Sequence, residues 1–321
     1  MIFPERNRQE YDSPRIGPSP LAMGDCVQMR SRGTGRTAAA GPSVAQATWL
    51  DSRGVPGPFQ LLGVGFRTDV HESSAGFIVR IGKSAVDGNT FSTERRLMDV
   101  VRTCVDIEIP RPTLAEDSLA AFPYGVMVYP KLAGSPPTAP SGVLARGVAS
   151  ALRQLHAMAT ATPAPAQVVD GNALAALVRS TRPYLTEAQR RETGQWQVDQ
   201  RNFLAAKPTR CMIHGDFWHA NWLCTKDGRT ITGLLDFERC GIGLPHQDLA
   251  PLRYLGEAFR AAALDAYCEG TTRDPASLLQ EVRMFDALRE LQGLDWALRN
   301  PDANEVDDAV EKVAEALANY R

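Results

Sequence analysis

His214-Gly215-Asp216-Phe217-Trp218-His219-Ala220-Asn221, followed further on by Leu235-Asp236-Phe237-Glu238, decides how the rest of the chain is read. The pattern offers one carboxylate, an amide five residues later, and a second carboxylate at the end of an apolar run. Residues 221–225 and 230–237 both read as strands, and Asp227-Gly228 between them favours a tight hairpin turn. With the turn centred on that pair, Asn221 faces Leu234 and His219 faces Asp236. Asn221 and Asp236 are then diagonal neighbours on one face, about 7–8 Å apart, and one cation can bridge them. Asp216 stands just upstream, in the loop that leads into the hairpin.

Phosphoryl transfer uses these parts: one carboxylate to receive and aim a hydroxyl, and an amide plus a second carboxylate to hold Mg²⁺ on phosphates. Together with Gly243-Leu244-Pro245-His246-Gln247-Asp248-Leu249-Ala250, the two motifs resemble the aminoglycoside phosphotransferase and choline kinase superfamily. Those are small-molecule kinases distantly similar to protein kinases. The resemblance implies an α+β, bilobal, protein-kinase-like fold, with a small N-terminal antiparallel-sheet lobe and a larger, mainly helical C-terminal lobe. By similarity Asp216 is the catalytic aspartate, Asn221 and Asp236 are the metal ligands, and Asp248 ties the catalytic loop down. ATP and Mg²⁺ are the implied cofactors. The implied partner is a small-molecule hydroxyl substrate, which in aminoglycoside enzymes is cationic.

The 321 residues carry a formal net charge of −2, so nothing draws the chain to nucleic acid or to a membrane surface. No apolar run is long enough to cross a bilayer and the first residues lack a signal-peptide core, so a cytoplasmic protein is expected. The six cysteines are scattered, without the close pairs of a zinc site, and read as reduced packing residues. Residues 1–40 are rich in Arg, Pro, Gly, Ser and Ala without a sustained period and read as a disordered leader. Gly33-Thr34-Gly35-Arg36-Thr37 within it follows no strand and lacks the Gly-Lys-Ser/Thr ending of a phosphate loop.

Residues 41–133 read as the nucleotide-binding lobe. Ser43 caps a short helix, and 59–65, 70–73 and 77–81 read as strands. Gly63-Val64-Gly65 stands where a glycine-rich loop would cover phosphates, though an ordinary hairpin turn fits it equally well. Phe77-Ile78-Val79-Arg80 is similar to the family strand that ends in a phosphate-contacting cation. That makes Arg80 the candidate and Lys83 the reserve, and a guanidinium can hold phosphate oxygens through two donors. Alone, Arg80 would read as a solvated strand-end arginine; the downstream motif changes that reading. Glu94, early in a helix over 92–101, is its candidate ion-pair partner. The strand 125–129 leads into the family's hinge, which implies that Val128, Tyr129 and Leu132 line the base pocket.

Residues 134–321 read as the catalytic and substrate lobe. Helices are expected over 142–159, over 173–206 with breaks near Pro183 and Gly194, from Pro251 to Gly270, and over 278–298 and 305–320. His156 reads as a core histidine and His214 as a brace of the loop. Glu257, Asp265, Glu281, Asp286, Glu290 and Asp295 lie where aminoglycoside enzymes recruit acids for polycations, although most such charges are solvated surface. Two competing readings remain: a metal-dependent hydrolase built on His214, Asp216, His219, Asp236, Glu238 and His246, and a kinase-like binding module without catalysis.

Overall fold

The computed structural model describes residues 41–65, 67–83, 90–158, 164–167, 169–300 and 303–320. The expected leader and part of the Gly63–Asp69 turn lie outside them. Helix α1 (Val44–Asp51) begins at a capping box in which the Ser43 hydroxyl accepts from Gln46 N–H and the Gln46 side chain accepts from Ser43 N–H. Strands β1 (Phe59–Val64), β2 (Thr68–Ser73), β3 (Phe77–Gly82), β4 (Leu114–Glu116) and β5 (Val126–Pro130) follow, with α2 (Phe91–Val101) between β3 and β4. They form one antiparallel sheet in the order β1-β2-β3-β5-β4.

Strand alternation divides this sheet into two faces. Ile78 pairs with Tyr129 and Arg80 with Met127, so these four side chains share a face. Ile78, Met127 and Tyr129 join the main core with Phe91, Leu97 and Met98 of α2. Val79, Val126 and Val128 point the other way and pack with Leu50 of α1 and Phe122.

The remainder of the molecule is mainly helical: α3 (Gly142–His156), α4 (Gly171–Thr181), α5 (Glu187–Ala205), α6 (His246–Leu249), α7 (Glu257–Cys268), α8 (Pro275–Arg299) and α9 (Ala303–Tyr320). The expected break at Pro183 is a short 3₁₀ turn over Arg182–Tyr184. Gly194, also expected to break a helix, instead lies inside α5, where an added Cβ would meet nothing within 4 Å. The single helix expected from Pro251 is in fact two pieces. A 3₁₀ segment, Ala250–Leu255, ends at Gly256, whose φ of +92° is unavailable to most residues, and α7 starts afresh.

Helix α8 runs through the centre of this part. It starts with Pro275 in its first turn and with Asp274 accepting from Ser277 N–H, and Trp196 of α5 donates its indole N–H to the Met284 carbonyl. Four short strands, β6 (Cys211–Ile213), β7 (Trp222–Cys224), β8 (Ile231–Leu234) and β9 (Gly241–Gly243), make two small ladders, β6-β9 and β7-β8. The β7-β8 hairpin is held both to the segment between α2 and β4 and to the chain linking the two parts of the molecule. Glu108 bonds to Thr232 and Leu234, and Ser135 exchanges bonds with Cys224. Gly134 has φ +116°, and a Cβ there would approach the Cys224 carbonyl to 2.8 Å, so the linker needs glycine to lie this close.

Cys211, Cys224, Cys240 and Cys268 are buried packing residues, and burial pushes the Cys224 thiol up to about 11. Cys104 departs from that expectation by being exposed. Among the described residues no helix is long and apolar enough to cross a membrane.

Candidate active site

The segment His214–Asn221 leaves β6 as a loop and ends in a 3₁₀ turn, His219–Asn221, before β7. Its path depends on Gly215, with φ +79° and room for no Cβ, since one there would fall 2.2 Å from the Arg239 carbonyl oxygen. Asp248 on α6 accepts the next two amides, from His214 N–H at 2.7 Å and Gly215 N–H at 2.8 Å. His156 Nε2 lies 3.2 Å from the same carboxylate and its Nδ1 lies 2.8 Å from the Tyr267 hydroxyl, so α3, α6 and α7 all grip the loop. His214 Nε2 donates to the Leu235 carbonyl at 2.9 Å while its Nδ1 accepts from Asp216 N–H at 3.3 Å. Both ring nitrogens are thereby occupied, and His214 joins the two motifs.

Asp216 presents its two oxygens to different partners. Asn221 Nδ2 donates to Oδ2 at 3.2 Å and to the Asp216 carbonyl at 2.9 Å, and Arg289 Nη2 of α8 donates to Oδ1 at 3.0 Å. Burial alone would raise the Asp216 pKa, but the charges of Arg289 and Arg239 outweigh it and hold the carboxyl below its usual range.

The hairpin register differs by one residue from the expected one. Trp222, not Asn221, faces Leu234, because an irregularity between Leu223 and Cys224 shifts the pairing away from the turn. Asn221 instead accepts from Leu235 N–H, one residue before Asp236. Strict alternation would turn Asp236 away, but its φ of +66° breaks the alternation. Its Oδ1 is buried without a hydrogen bond and lies 3.6 Å from Arg80 Nη2.

Arg80, on β3, sits against Glu94 of α2 at 2.5 Å, with both side chains almost fully buried, and within 3.8 Å of Glu238. Burial by itself would lower the Arg80 pKa, but Glu94 and Asp236 outweigh it and raise it. One guanidinium thus serves three carboxylates. Burial, with the neighbouring Asp236 charge, pushes Glu238 up to about 7. That acidic excess, with an unpartnered Asp236 oxygen, fits a divalent cation bound by hard oxygen donors. Lys83, the reserve cation, is taken by Asp69 at 2.7 Å and the Gly65 carbonyl at 2.8 Å.

Two further expectations change. Val128 is excluded as a lining side chain, since it lies on the sheet face opposite Arg80; Ile78 and Met127 share the Arg80 face with Tyr129. The facing of Val128 follows from the β3-β5 register, which pairs it with Val79 and which no local pattern in the sequence fixes. Leu132 is half-buried in the segment after β5. The hydrolase ligands do not assemble: His246 bonds to Glu281 at 2.7 Å, and among the described residues no group of three or more His, Cys, Asp or Glu is placed to hold a metal. Arg289, from a helix more than 70 residues downstream of Asp216, carries no motif that marks it in the sequence.

The model of the phosphotransferase enzyme family matches residues 63–285, more than half of the chain and both motifs. The chain belongs to that family. This phosphotransferase is therefore an enzyme that moves a phosphoryl group to the hydroxyl of a small molecule. Among solved structures it is similar to the GDP and kanamycin complex of APH(2")-IIia, with 22% identity over 82% of this chain and 94% of that one, and a TM-score of 0.71. It is also similar to the macrolide 2'-phosphotransferase MphH from Brachybacterium faecium, with 21% identity, 84% and 96% coverage, and a TM-score of 0.64. The streptomycin-ATP-APH(2")-IIa ternary complex gives 15% identity, 86% and 97% coverage, and a TM-score of 0.65. At such identities these likenesses show a shared fold, the bilobal kinase-like one. No curated protein matches the chain.

Proposed function

We propose that this phosphotransferase uses ATP with Mg²⁺ and transfers the γ-phosphoryl group to a small-molecule hydroxyl at Asp216. The observation that carries this reading is the arrangement of carboxylates: Asp216 bonded to Asn221 through one oxygen, and Asp236 with a buried, unbonded oxygen facing Arg80. Asn221 and Asp236 would hold the metal, which neutralises charge on the β- and γ-phosphates. Arg80, aligned by Glu94, offers its remaining donors to phosphate oxygens, as a planar fork does well. Tyr129 and Leu132, with Ile78 and Met127, form the base pocket. The division between the two lobes is placed in the linker after residue 133, and the protein is assigned to the cytoplasm.

Asp216, with its pKa held low, is a weak base at neutral pH. Its larger contribution is orientation, accepting the acceptor hydroxyl in a hydrogen bond aimed at the phosphorus. The antibiotic kinases share this fold; a choline-, sugar-amine- or homoserine-type acceptor belongs to the same chemistry. Incubating the protein with γ-labelled ATP and a library of hydroxyl compounds tests the reading. Labelled product should appear, vanish with EDTA and return with excess Mg²⁺. ATP binding without transfer to any compound would instead make the protein a catalytically inactive, kinase-like binding module.

A further inference from the structure

Most acids of α7 and α8 are already bonded inside the molecule. Glu281 is bonded to His246 and Arg273, Asp286 and Glu257 to Arg260, Glu290 to Arg253 and Tyr254, and Asp295 to Ser180 and Arg299. Of the six acids on α7 and α8, five are thus bonded to partners within the chain, four arginines among them, and the sixth, Asp265, is an exposed residue of α7. What α8 presents to the catalytic aspartate is a cation. Arg289 Nη2 is 3.0 Å from Asp216 Oδ1, Arg289 Nε is 3.4 Å from the Tyr254 hydroxyl, and its guanidinium lies 5.7 Å from the Tyr254 ring centroid.

Apart from Asp216 itself, which pairs with Arg289 at 3.0 Å, the catalytic loop His214–Asn221 carries no acid. His219 Nδ1 is buried without a hydrogen-bond partner. Trp218 packs edge-on to Tyr254, with ring centroids 6.5 Å apart. A reacting hydroxyl must come within about 3 Å of Asp216. Its nearest substituents then lie within a few ångströms of the Arg289 guanidinium, where an ammonium group is repelled and a carboxylate or neutral hydroxyl is accepted.

We propose that Arg289 is the charge-selecting residue on the acceptor side, so that this phosphotransferase takes hydroxyl compounds that are neutral or anionic around the transferred hydroxyl and rejects polycationic amines. The proposal rests on the phosphotransfer reading above and narrows its acceptor class. Arg289 acts both by fixing Asp216 and by facing the acceptor.

The test is phosphoryl transfer from ATP to kanamycin, to methyl glucoside and to gluconate, as polycationic, neutral and anionic probes, using wild type, Arg289→Gln and Arg289→Lys. ATP affinity and thermal unfolding of each variant report whether its fold is kept. In wild type, kcat/KM for the better of the neutral and anionic probes should exceed that for kanamycin by about 100-fold or more, each 1.4 kcal/mol being tenfold. Arg289→Gln should shrink this ratio at least about tenfold, beyond any common loss of rate, whereas Arg289→Lys should keep the order. A wild-type preference for kanamycin, or a ratio unchanged in a folded Arg289→Gln protein, would overturn the charge assignment alone. Transfer to no probe of any charge, and to no compound of the wider hydroxyl library, by a protein that binds ATP would overturn it together with the phosphotransfer reading.

Discussion

Arg80 and Glu94 form a buried ion pair on which both folding and the proposed nucleotide contact depend. The pair is buried, at 5% and 3% exposure, so removing either partner strands the other as an uncompensated charge. Glu94→Ala should therefore cost about 3–5 kcal/mol of folding stability, read by urea unfolding. It should also weaken ATP binding, read by titration, because Arg80 would turn toward Asp236 and Glu238, 3.6 and 3.8 Å away. Loss of neither property would show that the pair is not the nucleotide-aligning contact. Arg80 and Glu94 were legible from sequence because a strand-end cation and an early-helix acid sit at the family's offsets. Arg289 was not, because its position beside Asp216 comes from the packing of α8, which no local pattern encodes.

At the scale of elements, the expected helices and most strands formed: capping residues marked α1, α3 and α8, and apolar period marked α2 and α3. The errors arose where tertiary structure overrode such local signals. Gly194 stays inside α5 since an isolated glycine costs a helix only about 1 kcal/mol, well within what packing supplies. The hairpin slipped by one residue because nothing in residues 221–237 announces the irregularity at Leu223, and the consequence is absorbed by the left-handed backbone of Asp236. The short α6 is fastened to α8 by His246 and Glu281 at 2.7 Å.

The hydrogen bond from His246 and the neighbouring Arg273 charge hold Glu281 below the usual glutamate value near 4.5. A depressed acid contributes stability that is fully present above its unfolded pKa and is lost as pH falls through the folded one. Glu281→Gln should accordingly be less stable than wild type above about pH 5 and converge with it in more acid solution. Thermal unfolding across pH 3–8 follows this difference; a gap that stays constant with pH would contradict the linkage.

Across the whole molecule, the fold brings three separate regions to one place: a sheet that supplies Arg80, a clamped loop and hairpin that supply Asp216, Asn221 and Asp236, and a central helix that adds Arg289. Loop geometry is enforced by Asp248 from outside the loop and by Gly215 within it, so the chemistry at Asp216 can be removed without dismantling its support. The measurement that tests this most directly is transfer of labelled γ-phosphate to an accepted hydroxyl compound by Asp216→Ala, beside ATP affinity measured on the same protein. Transfer should fall by about 10²–10⁴-fold while the affinity for ATP changes little. A variant that transfers phosphate at close to the wild-type rate would contradict the assignment of Asp216 and the mechanism built on it.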